Sequence, residues 1–234
     1  MTEKNQLRIS PKLSGFVSNA LVILFLFVLL SILLVRFSGC SESTSPAESL
    51  KIPEPQGKKC FFVNSLDPIP VQLERRGKIV DFSIPKGFPM VVRDLLTNSA
   101  SSALPLKECD NGYAFNLNSG GKMQFLDQGV ILFKGSLRME FHKVKERYIV
   151  KTLVSTLGIR GTTLILSVEP DGGNTVYLAE GKVDLETSSK QMQLEPGNKY
   201  NISYDGSTIS KNPLSPDDFL KLAPDGGSLK LWQK

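Results

Sequence analysis

The stretch Val150-Lys-Thr-Leu-Val-Ser-Thr-Leu-Gly-Ile-Arg160-Gly-Thr-Thr-Leu-Ile-Leu-Ser-Val168 decides the fold class. Apolar and β-branched residues alternate on both sides of a Gly158-Ile-Arg160-Gly-Thr162 corner, the period of a pleated strand rather than of a helix. Glycines at 158 and 161 bracket Ile159 and Arg160, permitting a backbone course that a Cβ would obstruct. Arg160 carries five donors in a rigid, permanently charged fork. The residue pattern predicts that Arg160 pairs with Glu180 or Asp184 across the following hairpin, and that Arg160→Ala chiefly lowers stability. The threonines 152 and 162 read as strand residues whose hydroxyls satisfy nearby carbonyls.

Outward from this corner, the same period recurs. Short apolar runs stand at 60–63, 69–74, 78–83, 90–93, 113–117, 122–126, 130–133 and 136–141, and again at 147–151, 163–168, 175–179, 182–186, 191–194 and 199–204. Turn-forming pairs separate them, among them Arg76-Gly77, Asn111-Gly112, Lys134-Gly135, Pro196-Gly197 and Asp205-Gly206. Many short strands with glycine turns and no long helical pattern predict an all-β domain, a multi-stranded sandwich or β-roll, over 59–210. Beyond it, the 211–234 tail offers Ser215 as an N-cap, Pro216 at the first helical position and the acids Asp217 and Asp218 in the first turn, which predicts a short helix. Ser228 to Trp232 then reads as an edge strand or docking segment, with the single tryptophan sealing an apolar gap.

The N-terminal quarter is of another kind. Residues 1–15 form a short polar segment bearing Lys4, Arg8 and Lys12. Residues 16–35 contain no charge, and a helix of that length is about 30 Å long, enough to cross a hydrocarbon core. The basic flank precedes the run, so the positive-inside rule places 1–15 in the cytoplasm and everything beyond Arg36 across the membrane. Phe37-Ser-Gly-Cys40 is similar to a bacterial lipobox, which leaves two readings: an uncleaved anchor helix, or a lipoprotein carrying lipid on Cys40. Both tether the domain outside the cytoplasm. Residues 36–58 are polar and proline-bearing, as expected of a linker.

Composition narrows the chemistry. The 234 residues carry a net charge of only +5, with both signs mixed along the chain, which argues against a nucleic-acid surface. His142 is the sole histidine, removing the commonest general base and metal ligand. No nucleophile elbow, phosphate-cradling loop or metal-ligand cluster stands in the sequence, so no enzyme, cofactor or metal is predicted. Cys60 and Cys109 either pair across a loop of about 50 residues or remain thiols, because spacing alone does not decide contact. The run from His142 to Lys151 reads as a solvated strand face.

Val150-x-Thr152, then Gly158-x-Arg160-Gly161-Thr162, then Val176-Tyr-Leu-Ala-Glu-Gly181-x-Val183 together resemble the FecR domain, the family of the iron-dicitrate transport regulator. Arg93 to Thr97 with a strand over Ser99–Leu106 is similar to the family's opening segment, and Leu194-Glu-Pro-Gly197 with Asp205-Gly206 to its closing turns, so the resemblance covers roughly 69–210. It implies an all-β extracytoplasmic module that takes part in signalling or envelope interactions without catalysis. Leu153 departs from the family by replacing a common proline. Fifteen residues before the apolar run are too few for a folded cytoplasmic domain, so the resemblance carries the fold and the location and not control of a sigma factor. A sensor or interaction module is therefore expected, with a structural envelope protein that binds cell-wall or surface polysaccharide as the alternative.

Overall fold

In a computed structural model, which describes residues 52, 54, 57–142 and 147–222, three strands are long enough to belong to two layers at once. They are β9 (Gly129–Glu140), β11 (Ser155–Val168) and β12 (Asn174–Thr187). Around them run β1 (Lys59–Val63), β2 (Ile69–Arg75), β3 (Lys78–Ile84), β4 (Pro89–Val91), β5 (Leu95–Asn98), β6 (Leu104–Glu108), β7 (Ala114–Leu117) and β8 (Lys122–Leu126). β10 (Tyr148–Lys151), β13 (Gln191–Leu194), β14 (Asn198–Ile202), β15 (Ile209–Pro213) and the helix α1 (Pro216–Leu222) complete the described elements.

The ladders sort into two layers at the bends. The second half of β11, from Thr163 to Val168, pairs with the second half of β9 and the first half of β12. Its first half instead pairs with β10 and with the second half of β12. One layer therefore reads β15-β14-β12-β11-β9-β7-β6-β1-β4, and the other β13-β12-β11-β10-β9-β8-β5-β2-β3. All pairings are antiparallel except β9 with β10. Residues from both layers share one core, including Phe61, Phe115 and Phe125 as well as Leu157, Leu164 and Tyr200. The fold is all-β, as the alternation predicts.

One turn expected from the sequence is a bend within a strand, and two runs expected as separate strands are one. Lys134-Gly135 lies inside β9, and the segments expected at 175–179 and 182–186 are one strand, β12. The corner has the same character, since β11 runs without a break from Ser155 through Gly158, Arg160 and Gly161. At its bend the register shifts between Arg160 and Thr163, a bulge that turns the ribbon from one layer into the other. Gly161 (φ +63°) and Gly181 (φ +89°) face each other there, both in the left-handed region that glycine alone enters freely. A Cβ on Gly181 would stand 2.0 Å from the Gly161 carbonyl oxygen.

The helix forms as its cap residues predict. Ser215 Oγ accepts from the Asp218 N–H (3.2 Å), and the Asp218 carboxylate accepts from the Ser215 N–H (3.0 Å). Burial pushes the Asp218 carboxyl up, but the two Ser215 hydrogen bonds and the charges of Lys199 and Lys221 outweigh it and hold it below its ordinary value. Leu222 packs with Ile165, Ala179 and Leu214 in a small second core. Arg138 Nε donates to the Leu222 carbonyl (2.7 Å), satisfying an orphan acceptor of the last turn. The 16–35 run, Cys40 and Ser228 to Trp232 lie outside the described residues.

Candidate functional site: a charged groove beside the glycine corner

The residues of the motif do different things. Thr152 holds the tight β10–β11 turn: its Oγ1 accepts from the N–H groups of Val154 (3.2 Å) and Ser155 (3.0 Å) and from Asn174 Nδ2 (2.6 Å). Thr162 does not satisfy a carbonyl as expected, because its Oγ1 is buried without a partner among the described residues. Its methyl instead fills the space over Gly181.

Arg160 is a further correction. It is exposed, opposite Lys182, and makes no described ion pair with either expected carboxylate. Glu180 Oε1 accepts from Thr163 Oγ1 (3.1 Å), while Asp184 Oδ2 lies 3.9 Å from Arg147. The bend puts the Arg160 side chain on the wet face of the ribbon, and local glycine spacing does not report which face that is. The buried guanidinium belongs to Arg75. Its Nε and Nη2 donate to the two oxygens of Asp94 (2.9 and 2.6 Å), and both side chains are 2% exposed. Arg75 Nη2 also donates to the Pro89 carbonyl, and Asp94 Oδ2 accepts from the Val91 N–H, both at 2.9 Å.

Gly158 has a use unrelated to left-handed φ. It lies opposite Ile149, and the guanidinium of Arg147 rests on its backbone, with Nε only 1.8 Å from where a Cβ would stand. That contact seats Arg147 in a groove formed by two adjoining cavities of about 260 and 440 Å³, which share Asp127, Gln128 and Arg147 as lining. The smaller one is walled also by Lys58, Asp110 and Asn111, with Glu108, Tyr113 and Tyr148.

Each wall is fixed locally. Glu108 folds the β6–β7 hairpin, its carboxylate accepting the N–H groups of Asp110 (3.0 Å) and Asn111 (2.6 Å). Lys58 bridges Asp127 (3.2 Å) and Asp110 (3.5 Å), and Asp127 first, then Asp110, raises its proton affinity. Tyr148 is clamped in an aromatic cluster, with ring centroids 5.2 Å from Phe141 and 5.6 Å from Phe115. Its hydroxyl is buried without a hydrogen-bond partner among the described residues. Burial, then the Glu108 charge, pushes its phenol well above the ordinary value. Tyr148 is thus a neutral, buried ring beside a cavity lined by two cations and three carboxylates.

That arrangement suits recognition of a polar ligand carrying both charges. Among the described residues, no three His, Cys, Asp or Glu side chains come together as a metal site. Burial, and then the Asp94 charge, pushes the Cys60 thiol up to about 12, so it is protonated near neutrality. His142 is exposed at the end of β9. The groove was not legible in the sequence, since its lining comes from six separated segments and the motif's Gly158 only backs one lining residue, Arg147.

No protein-family model matches this chain, and no curated protein matches it. Two crystal structures of "a putative anti-sigma factor" from Parabacteroides distasonis are similar to it. One has a TM-score of 0.44 at 17% identity, covering 51% of this chain and 59% of the other. The second has a TM-score of 0.47 at 16% identity, covering 56% and 64%. The chain spans about three fifths of the length of these solved chains.

Proposed function

We propose that this protein is a membrane-tethered, extracytoplasmic, non-catalytic β module that recognises a partner protein or envelope component in the groove between Lys58 and Arg147. The observation that carries the reading is the mixed charge of the cavity lining, where Lys58 and Arg147 stand with Glu108, Asp110 and Asp127. Opposite charges on rigid walls favour a ligand bearing both signs, such as a peptide segment. The FecR resemblance and the uncharged 16–35 run support the tether and the side of the membrane.

The test is a photo-crosslinking residue in place of Gln128, at the join of the two cavities, in the full chain in its native envelope. A discrete protein adduct that vanishes with Arg147→Glu is expected. An adduct unaffected by Arg147→Glu contradicts the groove as the site. Labelling with radioactive palmitate separates the two tethers, because equal label on wild type and Cys40→Ser removes the lipoprotein.

The structural envelope role keeps one observation in its favour. Glu169, Asp171, Asn174, Thr175 and Asn201 line a polar cleft of about 490 Å³ that continues to Ser203, next to the exposed ring of Tyr204. Carboxylates and amides beside an exposed aromatic ring suit a sugar. Recovery of polysaccharide by the same crosslinking residue placed at Asn201, with no protein adduct at Gln128, selects this role over the sensor.

A further inference from the structure

Cys60 and Cys109 are far apart in sequence and opposite in the sheet. β1 and β6 pair with Phe61 facing Glu108 and Phe62 facing Lys107, so one step further places Cys60 against Cys109. The Cys109 N–H donates to the Cys60 carbonyl (3.1 Å), a bond that continues the ladder one step past Glu108 and sets the two residues opposite each other. Opposed residues of that kind have Cα atoms about 5.5 Å apart, inside the range a disulfide spans. Directly opposed side chains also project from the same face of their ladder. We propose that Cys60 and Cys109 form a cross-strand dithiol that closes to a disulfide, fastening the tethered first strand to β6. This rests on strand register and is independent of the groove's ligand.

The two thiols differ in a way that sets the order of reaction. Cys109 is exposed, whereas Cys60 is buried and donates from its sulfur to the Met90 carbonyl (3.5 Å). Burial, the Asp94 charge and the neighbouring Cys109 keep the Cys60 proton in place. Cys109 therefore attacks first. With oxidised glutathione as the oxidant, the Cys109 thiolate attacks one glutathione sulfur, forming a mixed disulfide and releasing one glutathione. Cys60 then gives up its proton and attacks the Cys109 sulfur, releasing the second. Two protein thiols are oxidised to one disulfide, and one glutathione disulfide is reduced to two thiols.

The position gives the bond a consequence. Lys58 lies two residues before Cys60, and Asp110 and Asn111 follow Cys109, so the bond joins two walls of the groove near the Lys58–Asp110 contact. It also blocks peeling of β1 when the linker is pulled.

The experiment is a non-reducing tryptic map of the full chain in detergent, after incubation with oxidised glutathione. Cleavage after Lys59, Arg75, Lys107 and Lys122 places the two cysteines on separate peptides, 60–75 and 108–122. The expected product is those peptides joined as the predominant form, with a rise in Tm relative to the reduced chain that Cys109→Ser abolishes. Cys109 carrying glutathione beside an intact Cys60 thiol would overturn the proposal, as would both thiols unchanged or either cysteine joined to Cys40.

Discussion

Two arginines in this molecule occupy opposite situations. Arg160 stands in the most recognisable motif of the chain and is exposed, with its glycines shaping backbone rather than holding its charge. Arg75 stands in an ordinary alternating strand and is 2% exposed, forked onto Asp94 and lying 5.4 Å from the Phe88 ring. A local signature reports where the chain must bend. Burial of a charge depends on residues brought together by the sheet, here nineteen positions apart.

The largest expected effect breaks the comparison at Arg75. Arg75→Ala leaves Asp94 buried without its counterion and costs about 3–5 kcal/mol in denaturant unfolding. A paired replacement with apolar residues of similar volume, Arg75→Met with Asp94→Leu, restores much of that loss. If Arg75→Ala unfolds at the wild-type denaturant midpoint, the buried pair does not support the fold.

Next comes Gly181→Ala. Left-handed backbone strain alone amounts to about 1–3 kcal/mol. The clash with the Gly161 carbonyl adds to it, so a clear fall in Tm is expected. Arg160→Ala is expected to stay within about 0.5 kcal/mol of wild type, the range of exposed substitutions. An Arg160→Ala loss as large as that at Arg75 would restore the ion-pair reading of the motif.

The smallest effects are in pH dependence. Under reducing conditions, the Cys60 thiol has its proton affinity raised on folding from 9.0 to about 12, so stability is fully present below pH 9 and declines as pH rises towards 12. Cys60→Ala removes that alkaline slope. At the other end, the Asp205 carboxyl is held at about 2 by the Ser203 hydroxyl and then by the N–H and hydroxyl of Ser207. That contribution is present above the ordinary value of 3.8 and fades as pH falls towards 2, which Asp205→Asn flattens. Acid and alkaline denaturation series check both signs.

Much of the strand content was legible because alternation and glycine turns are local properties. Thus β2, β8 and β13 fall where their apolar runs lie. The bend of β9 reads as a turn, and that of β12 as a gap between two runs, because a glycine interrupts both a turn and a bent strand in the same way, and only pairing partners distinguish them. β15 went unseen because it is an exposed edge strand without alternation, ending in Pro213. The groove and the Cys60–Cys109 register depend on long-range pairing, to which composition and spacing are blind.

The glycine at 158 joins the two halves of the account, since it is a motif residue whose space is taken by a groove cation. Gly158→Ala is the most direct test, because the displaced atoms are the far end of the flexible Arg147 side chain and not backbone. The measurement is partner adduct yield from the Gln128 photo-crosslinker, with Tm followed on the same samples. The predicted result is near-wild-type Tm with adduct lost as fully as in Arg147→Glu. Undiminished adduct, or loss of the fold itself, would contradict the claim that the motif seats Arg147 for recognition.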